Sequence, residues 1–275
     1  MPTIDPNTHG IIRHAEVPTN NFSIQPIGDP IIFPADGPWI IYGIYSGAIR
    51  VDKSYSCDMI YTIMLTSLSG DISPASAPLA FPGMGYSDAQ EVPTVATDRQ
   101  LHIYPTKIIV PGKSSIQLSA RIHSDTVCTT HIMTGVLFAH TPPQPSPITN
   151  SAWYQTHTTL TPEHLMGTLK LSESQSLITG LCSFAVSKHF TLGASPALYY
   201  YRLDSPDTKI QPCYIPGQSI IDCIPLTHTI QGPSGQFPYI PLNIQLKPGS
   251  TINLYFGNYA NAQGFIYVNT YLSYE

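Results

Sequence analysis

The sequence predicts an all-β protein built from two tandem sandwich domains that are related by internal duplication. Three observations predict this fold class. The 27 Pro and 19 Gly interrupt the chain every few residues, which disfavours long helices and favours short strands joined by turns. The 17 Tyr, with abundant Ile and Thr, suit a pleated, half-buried surface. Finally, segments of the first half recur in the second half at a nearly constant distance.

The repeat consists of three blocks in the same order. Residues 41–49 (IYGIYSGAI) match residues 178–186 (ITGLCSFAV), an offset of 178 − 41 = 137. Pro111-Gly112 matches Pro248-Gly249 at 137, and after the skipped Lys113 the offset becomes 250 − 114 = 136. The last block keeps the offset of 136 and matches Ile132, Thr134 and Val136 with Val268, Thr270 and Leu272. We therefore expect two copies of one antiparallel plan.

Each Pro-Gly turn is expected to have a specific backbone geometry. Proline presets the first turn position, and the following glycine accepts the positive φ that some turns require. Alternating strands follow, with Ile116 and Leu118, or Ile252 and Leu254, on one face of the sheet.

Residues 1–36 are rich in Pro, Asn and Thr and are predicted to be an extended N-terminal arm, or an edge strand that needs a partner. The first sandwich domain covers 37–141 and includes a long surface loop at Asp71–Thr97. Its predicted strands are Trp39–Val51, Met59–Ser67, Leu101–Val110, Ser115–His123 and Thr130–Phe138.

Residues 142–150 are predicted to be a stiff linker, because four of the six residues from 142 to 147 are prolines. The second domain covers 151–275. Thr161 as N-cap and Pro162 in the first turn predict a short helix over Pro162–Leu169. The predicted strands are Leu177–Val186, Ala197–Arg202, Ser219–Ile224, Leu242–Leu246, Thr251–Phe256 and Gly264–Ser273, the last of which would close its sheet.

The surface chemistry predicts protein contacts rather than nucleic-acid contacts. Charged residues make up only 11% of the chain, the net charge is −5, and no run of Lys or Arg exists to neutralise a phosphate backbone. An uncharged surface packs against neighbours at little desolvation cost. The N-terminus has no signal-peptide pattern, and the most apolar window, Trp39–Ile49, is too short for a membrane helix. We expect a soluble chain.

The sequence contains no catalytic motif, so we predict that the chain is not an enzyme and has no catalytic, cofactor-binding or metal-binding residues. Its ten His are dispersed. His157 and His164 are seven residues apart and do not have the i, i+4 spacing of a helical metal-ligand pair. His123 and His131 bracket the turn Ser124-Asp125-Thr126 and could join Asp125 in a cation site, although exposed polar loop residues are the commoner interpretation.

The five cysteines are expected to be small buried side chains, with a Cys213–Cys223 disulfide as the alternative. Asn21-Phe22-Ser23 matches the N-glycosylation pattern. We interpret this match as a coincidence, because the N-terminus has no signal-peptide pattern. In the run Tyr199–Tyr201, the outer two tyrosines share one strand face opposite Tyr200. We therefore favour a core position for one side of this strand over a sugar- or peptide-binding surface.

The paired blocks around Gly43/Gly180, Pro111-Gly112/Pro248-Gly249 and Thr134/Thr270, in two tandem sandwich units, resemble the double jelly-roll major capsid proteins of icosahedral viruses. The resemblance implies two jelly rolls per chain and a structural virion protein, a coat subunit that self-associates into a shell. It implies a homotrimer that forms a pseudo-hexameric capsomer. Other capsid proteins, and an underlying membrane or inner layer, are the further partners it implies. The loops at Asp71–Thr97 and Ser205–Tyr239 would form an outer crown or inter-subunit contacts.

Two other functions remain open from the residues. A glycan- or receptor-binding tandem module, such as a virion spike or lectin, would use a patch around Trp153-Tyr154 or Tyr199–Tyr201. A double-cupin enzyme would hold a metal on clustered histidines, which this sequence lacks.

Overall fold

The computed structural model describes residues 7–18, 23–50, 59–70, 79–87, 102–123, 129–143, 150–159, 163–188, 198–207, 212–218, 220–221, 239–260 and 265–275. The chain divides into two compact units. Unit 1 contains Met1–Ala89 and Leu101–Pro142, and unit 2 contains Gln90–Gln100 and Pro143–Glu275. The exact bounds of the four segments predicted from the sequence (1–36, 37–141, 142–150 and 151–275) stay a prediction.

All regular secondary structure in the described residues is β-strand. Unit 1 contains β1 (His9–Pro18), β2 (Ile24–Pro26), β3 (Ile31–Ile32), β4 (Trp39–Arg50), β5 (Met59–Ser67), β6 (Leu79–Ser87), β7 (His102–Val110), β8 (Ser115–His123) and β9 (Thr129–Ala139). Unit 2 contains β10 (Asn150–Thr159), β11 (Glu163–Lys170), β12 (Leu177–Lys188), β13 (Leu198–Asp204), β14 (Cys213–Gln218), β15 (Ile220–Ile221), β16 (Tyr239–Gln245), β17 (Thr251–Ala260) and β18 (Phe265–Tyr274). The part of the chain that the structure describes contains no helix long and apolar enough to cross a bilayer.

The strands of each unit form two antiparallel layers. In unit 1 the first layer has the order β1-β9-β4-β7, and the second has the order β6-β5-β8, with β2 and β3 both paired to β8. A two-residue parallel pairing of β4 with β6 connects the layers. In unit 2 the layers are β10-β18-β12-β16, with β15 beside β12, and β11-β17-β13-β14.

The two units share one strand order. With β2 and β3 counted as one interrupted strand and β15 left out, both units read 1-8-3-6 in the first layer and 2-7-4-5 in the second. Eight antiparallel strands in two layers joined in this order form a jelly roll. The predicted fold class of two tandem jelly-roll sandwiches related by duplication is confirmed.

The duplication extends to a shared irregularity. In β4 the register shifts between Ile41 and Gly43 against both neighbouring strands. In β12 it shifts between Ile178 and Gly180, again against both neighbours. Since a β-bulge is a specific local feature that changes the twist of a strand, its recurrence at the same point is strong support for descent from one ancestral unit.

Each unit buries an apolar core between its layers. In unit 1 the core includes Trp39, Ile41 and Phe138 from the first layer and Ile116 and Leu118 from the second. In unit 2 the fully or nearly fully buried side chains include Ile178, Leu181, Tyr199, Tyr201, Leu203, Ile252, Leu254 and Phe256. Burial of each such side chain contributes about 1.5–3 kcal/mol, so the alternating strands provide the main stabilisation of both units.

The Pro-Gly turns differ from the expectation in one respect. The turns run from Pro111 to Ser114 and from Lys247 to Ser250, because the amide of each serine donates to the carbonyl three residues earlier, at 3.3 and 3.0 Å. The third turn residue has the positive φ, and it is Lys113 (66°) in unit 1 and Gly249 (74°) in unit 2. The two turns therefore align at a constant offset of 249 − 113 = 136. The sequence match of Pro111-Gly112 with Pro248-Gly249 is one residue out of register with this structural alignment.

Gly112 has a different role from the predicted one. Its φ is not positive, but a Cβ at this position would lie 2.8 Å from the carbonyl carbon of Ala35 and 2.9 Å from the amide nitrogen of Gly37. Glycine is required there because the backbone of the preceding segment passes too closely for a side chain.

The structure corrects several other predictions. The predicted helix Pro162–Leu169 is wrong, because Glu163–Lys170 is strand β11 and pairs with β17. In the described part of the predicted arm, β1 is an edge strand that pairs with β9 over its full length, and β2 and β3 pair with β8 in the second layer. Loop Asp71–Thr97 contains β6, and Ser205–Tyr239 contains β14 and β15. The final strand, β18, lies between β10 and β12 rather than closing the sheet.

Candidate functional site

The most organised polar cluster in the described residues lies on one sheet surface of unit 2. We call this surface face 2: the core-distal side of the layer β11-β17-β13-β14. Tyr199, Tyr201 and Leu203 of β13 are buried in the core. The alternate residues Tyr200 and Arg202 are part-buried on the other side. The prediction that one side of the tyrosine run enters the core is confirmed.

Arg202 is the centre of this cluster. Its Nε donates to both oxygens of Glu163 at 3.1 and 3.2 Å, and its Nη2 donates to Oε1 at 2.7 Å. Its Nη1 donates to Asp204. The guanidinium carbon lies 3.9 Å from the centre of the Tyr255 ring. The planar fork of arginine suits this combination of bidentate pairing and stacking.

The sheet register brings these residues together. Glu163 of β11 lies opposite Gly257 of β17, and Gly257 lies opposite Tyr200 of β13. A Cβ on Gly257 would come within 2.5 Å of the Tyr200 ring. The missing side chain lets Tyr200 cross β17, where its hydroxyl donates to Glu163 Oε2 at 3.0 Å.

The charges of the cluster stabilise each other. Burial alone would raise the pKa of Glu163, but the hydrogen bonds from Arg202 and Tyr200 and the charge of Arg202 outweigh it, so this pKa is lowered. The hydrogen bonds to Glu163, followed by the Glu163 charge and Asp204, raise the pKa of Arg202. Both carboxylates are engaged by the guanidinium, and the cluster is therefore suited to holding a surface in one shape rather than to proton transfer.

Unit 1 carries a different surface at the equivalent positions. We call it face 1: the core-distal side of β2, β3, β8, β5 and β6. The registers place Ile24 at the position of Glu163 in unit 2. They place Met64 at the position of Arg202, and Ala80 at the position of Tyr214. Ser119 corresponds to Tyr255, and Thr62 to Tyr200. The duplicated layers therefore share a backbone plan and differ in the chemistry of their core-distal faces.

The histidines do not form a metal site in the described residues. His131 stacks on His14, with ring centres 5.5 Å apart and planes 7° apart, and its Nδ1 lies 3.7 Å from Glu16. Asp125 of the predicted turn lies outside the described residues. The ring centres of His164 and Phe256 are 5.7 Å apart. Burial lowers the pKa of His164.

Other sequence candidates are only partly described. Cys213 is a thiol buried in β14, whereas Cys223 and Asn21 lie outside the described residues. The side chains of Trp153, His123 and His157 also lie outside them. Glu163, Arg202 and Asp204 were not among the site residues predicted from the sequence. The available signal was the pair Arg202 and Asp204 at alternate positions of one strand, beside Tyr200, in a chain with few charges.

No family model matches the chain, and no curated protein matches it. Among solved structures, the chain is similar to the PBSX exported protein XepA, at 9% identity and a TM-score of 0.25, covering 94% of this chain and 86% of that one. It is similar to the N-terminal CBM22-1-CBM22-2 tandem domain of Paenibacillus barcinonensis Xyn10C, at 9% identity and 0.23, covering 97% and 93%. It is also similar to a chain from the structure of Sulfolobus Turreted Icosahedral Virus, at 10% identity and 0.23, covering 97% and 90%. Likeness at these values carries no argument about function.

Proposed function

We propose that this chain is a structural virion protein, a major capsid subunit that self-associates into a shell. The observation that carries the proposal is the presence of two jelly rolls of the same strand order in one chain. A chain with two equivalent sandwiches gives six similar units in a homotrimer. Such a pseudo-hexameric capsomer can tile a shell, with other capsid proteins and an underlying membrane or inner layer as further partners.

The composition supports extensive contact between copies. Only 11% of the residues are charged, although 42% are hydrophobic. Desolvating a charged side chain is costly unless it is paired, so a surface with few charges can be covered by neighbours over a large area. On face 2, Glu163 and Asp204 are each paired with Arg202, which reduces the cost of covering these three charges.

Self-association of the purified chain tests this proposal. Sedimentation velocity from low to high micromolar concentration should show trimers or larger species whose fraction rises with concentration, and electron microscopy should show closed particles or regular sheets. A strictly monomeric species over the whole series, in both low and high salt, would refute the proposal.

The alternative function, a glycan- or receptor-binding module, is favoured by one specific observation. Face 2 combines Tyr200, Tyr214 and Tyr255 with the polar groups of Glu163 and Arg202. Tyrosines with nearby fixed hydrogen-bonding groups are suited to binding polar ligands with apolar patches. A glycan array should show binding that Tyr214→Ala removes if this function is correct. An array without any bound glycan, together with concentration-dependent assembly, would favour the coat protein.

A further inference from the structure

The outer side of the edge strand β1 carries a titratable cluster that lies apart from face 2. Glu16 lies directly opposite His131 of β9, and His14 lies opposite Met133. The imidazole rings of His14 and His131 therefore meet diagonally across the ladder, with centres 5.5 Å apart and planes 7° apart. Glu16 Oε1 lies 3.7 Å from His131 Nδ1. Three titratable side chains thus span the two strands, while the alternate residues of both strands pack in the core.

Strand β1 is attached to unit 1 differently along its length. Among the described strands it pairs with β9 alone, and an edge strand held by one ladder opens more easily than a central strand. Near its start, the ring of His9 stacks on Phe138 with centres 5.2 Å apart. Arg13 Nε donates to a carbonyl of the β2–β3 connection at 2.8 Å. The histidine pair lies beyond these anchors, so a change in its charge acts on the second half of β1, residues His14–Pro18.

Protonation of both rings would place two positive charges across this ladder. Neutral imidazoles stack without repulsion, whereas two imidazolium groups 5.5 Å apart repel each other, and burial weakens the hydration that would screen them. Burial, followed by the charge of His131, lowers the pKa of His14 below its ordinary value of 6.5, although the charge of Glu16 raises it. The folded ladder therefore disfavours a proton on His14. The attachment of β1 is complete above pH 6.5 and is lost as the pH falls from that value through the lowered pKa.

The charges around the pair offset this repulsion only in part. Strand β9 has no ionisable side chain besides His131. On β4, the strand on its other side, Arg50 lies opposite Thr130, one register position away, and Tyr45 is a phenol without charge at these pH values. Glu16 is the only carboxylate that the described strands place beside the pair, and its side chain is 65% exposed, so solvent weakens its attraction. One carboxylate offsets at most one of two positive charges.

Unit 2 has different residues at the equivalent positions. The offset of 136 relates His131 to Tyr267 (267 − 131 = 136), and the residue at the position of His14 is Gln155. Strand β10 pairs with β18 along its full length, as β1 does with β9. The duplicated ladders share their register, and of the two only the ladder of unit 1 has histidines as diagonal neighbours.

We propose that acidification releases His14–Pro18 of β1 from β9, with His14 and His131 as the sensor. When this half of β1 detaches, the protonated rings separate and each gains its own hydration. Release also exposes the edge of β9, whose backbone groups become available for pairing. The fold thus contains a pH-controlled sheet edge. This inference goes beyond the proposed function and does not depend on it.

Hydrogen exchange of the full chain between pH 8 and pH 5 measures the release, once the rates are corrected for the intrinsic pH dependence of amide exchange. The opening equilibrium of the β1 amides that bond to β9 should rise about tenfold for each pH unit below 6.5, until the lowered pKa of His14 is reached. The β4–β9 ladder should keep its protection. His14→Gln should remove most of the rise, and Glu16→Gln should make it larger, because a neighbouring negative charge is lost.

His157→Gln is the matched control, since His157 lies on the edge strand β10 at the position equivalent to Glu16. It should leave the response of β1 unchanged. Exchange at pH 8, where imidazole is ordinarily neutral, shows that each variant is folded. An opening equilibrium that does not change between pH 8 and pH 5, or an equal rise in the wild type and in His14→Gln, would overturn the proposal. Loss of protection in the β4–β9 ladder together with β1 would also overturn it, because it marks unfolding of the whole unit.

Discussion

Exchanging the third residues of the two equivalent turns should change stability in opposite directions. Lys113 has a φ of 66° and Gly249 one of 74°, a region in which an L-residue costs about 1–2 kcal/mol and glycine costs nothing comparable. Glycine also increases the freedom of the unfolded chain, which offsets roughly 0.4–1 kcal/mol. The balance predicts that Lys113→Gly stabilises the protein by about 1 kcal/mol and that Gly249→Lys destabilises it by a similar amount.

Differential scanning calorimetry provides the measurement. For a unit of this size, about 1 kcal/mol corresponds to a melting-temperature change of about 3–5 °C. Lys113→Ala is the control, because it removes the long side chain but keeps the Cβ that makes a positive φ unfavourable. If Lys113→Gly melts no higher than Lys113→Ala, the turn does not adopt the left-handed conformation and the proposed equivalence of the two turns is wrong.

Three further substitutions test the close approach, the charged cluster and the histidine pair. Gly112→Ala should cost about 2 kcal/mol in urea unfolding, because the added methyl overlaps the backbone of Ala35; a neutral effect would contradict the close approach. Arg202→Met should cost about 1–2 kcal/mol, less at high salt, because Glu163 and Asp204 lose their charged partner; an unchanged unfolding midpoint would show that the cluster contributes no stability. Burial and a neighbouring histidine lower the pKa of His14 from its ordinary value of 6.5, so stability should fall as the pH drops below that value, and His14→Gln should show a flatter urea-midpoint profile between pH 8 and pH 5.

The repeated segments were the most informative part of the sequence. The matched blocks identified β4 with β12, β8 with β17 and β9 with β18, and the structure places each pair at the same position in its unit. The exact register at the turns could not be predicted, because two Pro-Gly pairs match better as letters than Lys113 matches Gly249. The backbone conformation, and not the residue type, is what the two turns share.

Two errors have clear physical causes. Thr161 and Pro162 carry the local signal of a helix start, but pairing with β17 places Glu163–Lys170 in a sheet, and tertiary pairing outweighs a weak local preference. The sequence of β6 predicts a loop because it contains Pro82 and two glycines. Proline is tolerated in an edge strand, and β6 is at the edge of its antiparallel layer apart from the short pairing with β4.

The charged cluster could be predicted only in part. The alternation of β13 predicts that Tyr200, Arg202 and Asp204 share a face. Glu163 is 39 residues away from Arg202 and reaches it because β17 lies between their strands. Sequence distance carries no information about such a neighbour until the strand order is known.

Electron cryomicroscopy of the purified chain at high concentration tests the central claim most directly. We predict closed particles or ordered capsomers in which every copy contributes two eight-stranded sandwiches, with β4 and β12 at equivalent positions in each. Density that shows one continuous barrel per chain, two sandwiches whose strands do not superimpose in order, or only isolated monomers would contradict it.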